Sequence, residues 1–216
     1  MKRLSERFLI LFSLILVLCV YVTGASAQSG WVSLRETDDG ISVKARETPG
    51  TNVRAVMASI KVAAPPQVVI DAASDPDTFE KSGKYVEKIR VYKSETPEVW
   101  HVYYLVKFPV ISRRDYTLRY EQTFFPDQQM YQLSWHGSTT VGPPPSEKII
   151  RVTQVEGWFR VQPLSDGTGS LLQYYVLADP GGSIPSFLVN LANRSAVPDI
   201  LRQVRDAALR RVREQP

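Results

Sequence analysis

The sequence predicts an α+β fold built from one large antiparallel sheet and a long helix near the C-terminus. Most of the 216-residue chain has apolar residues at alternating positions, in short segments separated by turn residues. A short helical pattern follows Pro65 and Pro66, where proline suits the first turn of a helix. A continuous apolar stripe at helical spacing then runs from Phe187 to Leu209.

The N-terminus has the pattern of a cleaved signal peptide. A basic leader precedes an uncharged stretch over residues 8–22, which is shorter than the ~20 apolar residues that a membrane-spanning helix needs. The small residues that end at Ala27 suit signal peptidase, so we expect cleavage after it. The sequence thus predicts a signal peptide over 1–27, one domain over 28–216, and export to the periplasm or the medium. An uncleaved N-terminal anchor is the alternative.

The composition argues against several classes of function. Cys19 is the only cysteine and lies in the leader, while His101 and His136 are the only histidines. The histidines do not stand at metal-ligand spacing, and no phosphate-binding glycine loop or nucleophile elbow is present. The net charge is +4, and the basic residues are not clustered with aromatic residues as they are in nucleic-acid-binding domains. We therefore expect no catalytic group, no metal, no cofactor and no nucleic-acid partner.

Period-two patterns locate the strands, and one helical pattern closes the chain. Residues 40–62 predict a hairpin, with a helix after Pro66 and a short second helix over 78–84. The final helix is predicted over 186–213, and Pro198 is expected to kink or split it. Further strands are predicted over 86–95, 99–108, 115–125, 130–136, 148–163 and 170–178.

Three segments in this order resemble the START superfamily of lipid-transfer domains: residues 108–116, 157–163 and 179–185. The first, Phe-Pro-Val-Ile-Ser-Arg-Arg-Asp-Tyr, is similar to a START strand end, a loop over the cavity mouth, and an Arg-Asp-aromatic start of the next strand. The resemblance implies a helix-grip (START/SRPBCC-like) fold, in which a curved antiparallel sheet wraps around the long C-terminal helix. It also implies an internal hydrophobic cavity for one lipid or other apolar molecule.

The resemblance and the strand alternation together give an expected site. Residues 116–124 alternate between one set that is expected to face the cavity and a more polar set. Both faces of the preceding strand can be buried, and we assign the face of His101 to the cavity. The expected cavity lining is His101, Tyr103, Leu105, Tyr116, Leu118, Tyr120, Gln122, Trp135, Leu188, Leu191 and Leu201. The expected lid is Pro109, Val110, Ile111 and Ile184, and the expected structural motif residues are Arg114, Asp115 and Trp158.

The resemblance leaves the ligand open, because some relatives place a buried acid and arginine where this chain has His101 and Tyr120. Neutral hydrogen bonds from His101, Tyr103 and Tyr120 suit a hydroxylated or amide-bearing lipid. In the alternative interpretation the tyrosines only pack.

The resemblance implies a protein, here expected to be monomeric, that binds one lipid, contacts membranes transiently and carries the lipid between them. One alternative is an enzyme on the same scaffold, a cyclase or hydrolase of an apolar substrate, with His101 as the candidate catalytic group. The other is a sensor or interaction module that does not transport.

Overall fold

The computed structural model describes residues 30–49, 53–80, 85–108, 111–181 and 196–214. The expected leader and its cut after Ala27 lie outside these residues. The strands are β1 (Val32–Glu36), β2 (Ser42–Glu47), β3 (Arg54–Val62), β4 (Val86–Thr96), β5 (Val99–Val106), β6 (Arg113–Phe125), β7 (Met130–Ser138), β8 (Ile149–Arg151), β9 (Val155–Pro163) and β10 (Ser170–Ala178). The helices among the described residues are α1 (Pro66–Ser74), α2 (Asp77–Glu80) and α3 (Val197–Glu214).

All the strands belong to a single 10-stranded sheet, in which nine follow the order β1-β2-β3-β10-β9-β7-β6-β5-β4. Neighbours along this path are antiparallel. The short strand β8 pairs with the start of β6 in parallel, with Ile150 opposite Arg114. The sheet thus joins the first hairpin to the last strand, because β3 pairs with β10.

One face of the sheet, here called the inner face, carries the hydrophobic core. The buried residues Ile60, Leu133 and Leu172 belong to it, and α1 and α3 add their apolar sides. Helix α1 packs against β7, β9 and β10, and also against α3. In α3, Val197, Leu201, Val204 and Ala208 are buried at helical spacing, so the helix turns one apolar stripe towards the core. The opposite side of the sheet is called the outer face.

Ion pairs hold α3 to parts of the chain that lie far away in sequence. Arg202 Nη2 donates to Asp39 Oδ1 at 2.9 Å across 163 positions, and Arg205 binds the other carboxylate oxygen of Asp39. Further along the helix, Arg211 pairs with Asp75, which follows α1. The turn between β1 and β2 is therefore attached directly to the last helix.

The predicted α+β class, with a large antiparallel sheet and a C-terminal helix, is confirmed. The predicted strand over 148–163 divides into β8 and β9, because Val152 N–H donates to Asp115 O and Gln154 O accepts from Asp179 N–H, outside the strand pairing. Strand β1 is absent from the predicted strands, and all its residues are exposed although Val32 and Leu34 alternate with Ser33 and Arg35. The described part of the final helix starts at Val197, so Pro198 lies in its first turn, where proline is well accepted.

Within the described residues, no helix is long and apolar enough to cross a membrane.

Candidate functional site: an aromatic cavity on the inner face

A cavity of about 320 Å³ lies between the inner face of the sheet and the start of α3. Its size falls within the roughly 300–1,000 Å³ that is typical of small-molecule sites. Most of its wall is aliphatic or aromatic, and the charged side chains on it are Arg114 and Asp199. The described lining residues are Phe79, Tyr85, Val86, Tyr104, Val106, Phe108, Arg114, Tyr116, Leu118, Tyr120, Trp135, Val152, Val155, Phe159, Tyr174, Val176, Ala178, Pro180, Ala196, Asp199, Ile200 and Gln203.

The pairing between neighbouring strands decides which side chains reach this cavity. Tyr104 stands opposite Tyr116, and on the next pair of strands Tyr120 stands opposite Trp135. Residues directly opposite one another in an antiparallel pair share a face of the sheet, so these aromatic side chains form a continuous inner surface. Gly157 completes it, since a Cβ there would collide with the Trp135 ring. The sheet register thus builds the wall of the cavity.

Four tyrosines of the wall form what we call the tyrosine cluster: Tyr104, Tyr116, Tyr120 and Tyr174. The rings of Tyr104 and Tyr116 stack at 5.3 Å between centroids, and the ring of Tyr174 stacks on Trp135 at 5.8 Å. The hydroxyls of Tyr104 and Tyr120 share a hydrogen bond of 3.0 Å. Burial raises the pKa of Tyr104 to about 12, and burial also raises the pKa of the other three phenols. All four therefore stay protonated and uncharged at neutral pH.

Arg114 closes one end of the cavity wall and holds two backbone segments together. Its guanidinium donates from Nη1 to Ser112 O at 2.7 Å, from Nε to Pro180 O at 3.0 Å, and from Nη2 to Gly181 O at 3.2 Å. Arg114 is 3% exposed, and burial lowers the pKa of its guanidinium. The residue thus joins the start of β6 to the segment after β10, two strands that are not neighbours in the sheet.

The structure places four of the expected cavity residues on this wall: Tyr116, Leu118, Tyr120 and Trp135. Their role in binding a ligand stays a prediction. Gln122 lies further along the same strand, where its Oε1 accepts a hydrogen bond of 2.9 Å from Ser74 in α1. Leu201 is fully buried in the core but does not line this cavity, and Ile200 and Gln203 reach it from α3 instead.

His101, Tyr103 and Leu105, which the sequence predicted for the cavity lining, do not line this cavity. They pair with Arg119, Thr117 and Asp115 of β6, which lie on the outer face. Tyr104 and Val106, from the other set in β5, line the cavity in their place. Both sets in β5 are largely buried, so the alternation alone did not distinguish them. The pairing of β5 with β6 shows which set faces the cavity.

The other cavity residues absent from the sequence-based set include Phe79, Phe159 and Tyr174. Tyr174 lies two positions from Leu172 and two from Val176, so the three apolar or aromatic residues share one face of β10, and the sequence shows this spacing. Of the expected lid, Ile111 is half-buried and does not line this cavity. The expected residues that lie outside the described part of the chain are Pro109, Val110, Ile184, Leu188 and Leu191.

The expected structural residues Asp115 and Trp158 lie on the outer face. The Asp115 carboxylate accepts hydrogen bonds from Arg151 Nε at 2.7 Å, from Arg151 Nη2 at 2.9 Å, and from the Tyr103 hydroxyl at 3.1 Å. Asp115 is 2% exposed, so this is a buried ion pair. Trp158 stacks on Tyr175 at 5.5 Å, and the Arg160 guanidinium lies 4.2 Å from the centre of the Trp158 rings.

A sheet covered on one face by helices, with an aromatic cavity between them, defines a small-molecule-binding domain. The family model for the START domain matches residues 19–215 of the chain. The chain therefore belongs to the START domain family, and the family resemblance drawn from its sequence is confirmed.

Curated relatives in mammals are phosphatidylcholine transfer proteins. The one from Homo sapiens is 31% identical over 144 residues, which cover 64% of this chain and 65% of that protein. The one from Mus musculus is 29% identical over 143 residues, with the same 64% and 65% covered. The chain thus spans slightly less than two thirds of the length of these relatives.

Solved structures with the same fold include two lipid transfer proteins. The StAR-related lipid transfer protein from Xanthomonas axonopodis has a TM-score of 0.69 and 21% identity, and the match covers 83% of this chain and 98% of that one. Human StAR-related lipid transfer protein 5 has a TM-score of 0.67 and 16% identity, and the match covers 95% and 98%. At these identities the likeness shows the shared fold.

Proposed function

We propose that this chain binds one lipid in the aromatic cavity and carries it between membranes. The observation that carries the proposal is the cavity wall, which offers aliphatic and aromatic surface over most of its area and lies between the sheet and α3. Membership of the START domain family supports it, as do relatives that are named for the transfer of phosphatidylcholine.

The energetics of lipid transport agree with an enclosed apolar site. Each methylene group removed from water contributes about 0.8 kcal/mol, so an acyl chain of roughly sixteen carbons costs on the order of 12 kcal/mol to expose during transfer. A carrier lowers this barrier by holding the chain against side chains such as Leu118, Val155 and Val176.

We further propose that the carrier acts as a monomer in the cell envelope or outside the cell, and that it contacts membranes transiently. The support for export is the leader pattern of residues 1–27, which joins a basic start, a short apolar stretch and small residues before the cut.

The enzymatic alternative depended on His101. This residue is 4% exposed and does not line the cavity, so it offers no catalytic group to a molecule bound there. No group of three or more His, Cys, Asp or Glu residues in the described ranges is placed to hold a metal ion. The observations therefore favour a carrier rather than a catalyst, and no second function is proposed.

The proposal is tested by purifying the full chain without detergent and measuring its mass under native conditions. The expected result is one lipid per chain, identified after extraction, and faster exchange of labelled phosphatidylcholine between donor and acceptor vesicles. A protein that carries no lipid and leaves vesicle exchange at its spontaneous rate would contradict the proposal.

A pair of variants on α3 separates the cavity from the rest of the helix. Ile200→Trp places a large ring at the cavity wall, while Val212→Trp adds the same ring at an exposed position, where Val212 is 37% exposed. We expect Ile200→Trp to lose bound lipid and transfer, and Val212→Trp to keep both. Circular dichroism checks that both variants fold.

A further inference from the structure

Three polar groups on the cavity wall have no hydrogen-bond partner within the described part of the chain. They are the hydroxyls of Tyr116 and Tyr174 and the indole N–H of Trp135. Among the described residues, only Thr117 Oγ1 is both fully shielded and without a partner, so these three groups are still open to space. All three residues line the cavity, so a molecule bound there is an available partner for these groups.

The four tyrosines of the cluster share one wall of the cavity. The ring of Tyr104 stacks on that of Tyr116 at 5.3 Å between centroids, and its hydroxyl lies 3.0 Å from that of Tyr120. Only the pair Tyr104 and Tyr120 is joined by a hydrogen bond. A buried hydroxyl without a partner destabilises a protein, so a set of them is expected where a ligand completes the bonding.

The charged residues near the tyrosine cluster restrict the charge of the ligand group that can bind there. The phenols affect one another's ionisation, and no lysine or arginine is among the groups that shift the pKa of Tyr104, Tyr116 or Tyr174. Arg114 directs three hydrogen bonds to backbone carbonyls, and Asp199 adds a negative charge to the wall. An anionic group beside the tyrosines would therefore lose its hydration, while the guanidinium of Arg114 is already engaged with backbone carbonyls and Asp199 repels it.

We propose that the tyrosine cluster and Trp135 bind an uncharged oxygen acceptor of the lipid, a hydroxyl or a carbonyl, through the unpartnered O–H and N–H donors. The indole N–H can only donate, which makes the ligand atom an acceptor. This inference rests on the proposed lipid-binding function and names the polar group that the cavity selects.

The test uses substitutions that remove hydroxyls and keep the rings. The double variant Tyr116→Phe/Tyr174→Phe loses two donors, while Tyr131→Phe is the control, because Tyr131 is half-buried against Phe124 and does not line the cavity. Each lost hydrogen bond is expected to weaken binding roughly three- to tenfold. The full-length proteins are titrated with phosphatidylcholine vesicles that carry diacylglycerol, its ether-linked analogue or oleate.

We expect the wild type and Tyr131→Phe to take diacylglycerol in preference to anionic oleate, and the double variant to bind diacylglycerol at least tenfold more weakly. If the double variant also binds the ether-linked analogue more weakly than the wild type does, the acceptor is the hydroxyl. If the two proteins bind the analogue equally tightly, the acceptor is the ester carbonyl, which the analogue lacks.

Two results would overturn the inference while leaving the lipid-binding function in place. One is a double variant that binds its lipid as tightly as the wild type, as expected if the ring faces hold a choline cation instead. The other is a preference for oleate over diacylglycerol. A wild-type protein that takes no lipid from any of these vesicles contradicts the proposed function itself.

Discussion

Tyr103 and Tyr104 are neighbours in β5, yet their side chains lie on opposite faces of the sheet in different surroundings. On the outer face, the Tyr103 hydroxyl binds a carboxylate that Arg151 also binds through two nitrogens. On the inner face, Tyr104 bonds only to another tyrosine and lines an open cavity. The outer tyrosine completes a network within the protein, whereas the inner one belongs to a set that a ligand can complete. The same residue type therefore stabilises the fold on one face and provides a site on the other.

The largest expected effect concerns the inner face at alkaline pH. The folded protein keeps the Tyr104 proton up to a pKa of about 12, while the unfolded chain loses it near the ordinary value of 10, so stability is constant below about pH 10 and falls above it. Each phenol of the cluster contributes about 1.4 kcal/mol per pH unit, or roughly 5 kcal/mol for all four by pH 11. Urea unfolding from pH 8 to 11 measures this slope. Tyr104→Phe should make it shallower, and an unchanged slope would contradict the assignment.

The next effect tests the outer network. Asp115→Asn leaves the Arg151 guanidinium without its buried partner, and we expect a loss of about 3 kcal/mol in the free energy of unfolding. Glu47→Gln removes one partner of an exposed pair with Arg54 and should change stability little. Chemical denaturation of both variants measures the difference. Equal losses would show that burial of the Asp115 pair carries no special weight.

Arg114 combines the two roles compared above, because it lines the cavity and also stabilises the fold through hydrogen bonds to backbone carbonyls. Arg114→Met removes those bonds and should lower stability by about 2 kcal/mol while lipid leaves the cavity faster. Arg113→Met is the control, because Arg113 is exposed and pairs with Glu87 at the surface. Thermal unfolding and lipid release rates measure the two effects. Normal release from Arg114→Met would mean that the residue acts on stability alone.

The smallest effects distinguish the two kinds of tyrosine directly. Tyr103→Phe removes a hydroxyl that binds a buried carboxylate and should cost about 1 kcal/mol of stability without a change in lipid binding. Tyr116→Phe removes a hydroxyl that has no partner within the described chain, so the lipid-free protein should be at least as stable as the wild type. Urea unfolding of delipidated protein compares them. If Tyr116→Phe is the less stable variant, the contrast between the faces fails.

The sequence was informative where one face of a strand is polar and uninformative where neither is. In β6, Thr117 and Arg119 alternate with Tyr116 and Leu118, so the inner face could be assigned correctly from the pattern. In β5 both sets are apolar or aromatic, and only the pairing with β6 determines which one reaches the cavity. Such pairing depends on contacts between distant segments, which local periodicity does not report.

The same limit explains the polar contacts that were not predicted. The bond between Arg151 and Asp115 spans 36 positions and follows from the parallel pairing of β8 with β6. The sequence did indicate Arg114 and Asp115 as structural residues, but their partners, Pro180, Gly181 and Arg151, become neighbours only in the folded sheet.

The attachment of Asp39 to Arg202 and Arg205 has a consequence for how the chain folds. Asp39, in the turn between β1 and β2, forms ion pairs with residues 163 and 166 positions away, and β3 pairs with the distant strand β10. Neither contact can form until the C-terminal part of the chain is present. During synthesis, the N-terminal hairpin therefore emerges long before the helix and the strand that bury it. Contacts between residues that are far apart in sequence slow folding. An unfinished chain can form only a few of the native contacts. The domain is then expected to fold only once the last helix is available, so a nascent chain is expected to stay unfolded until its synthesis is complete.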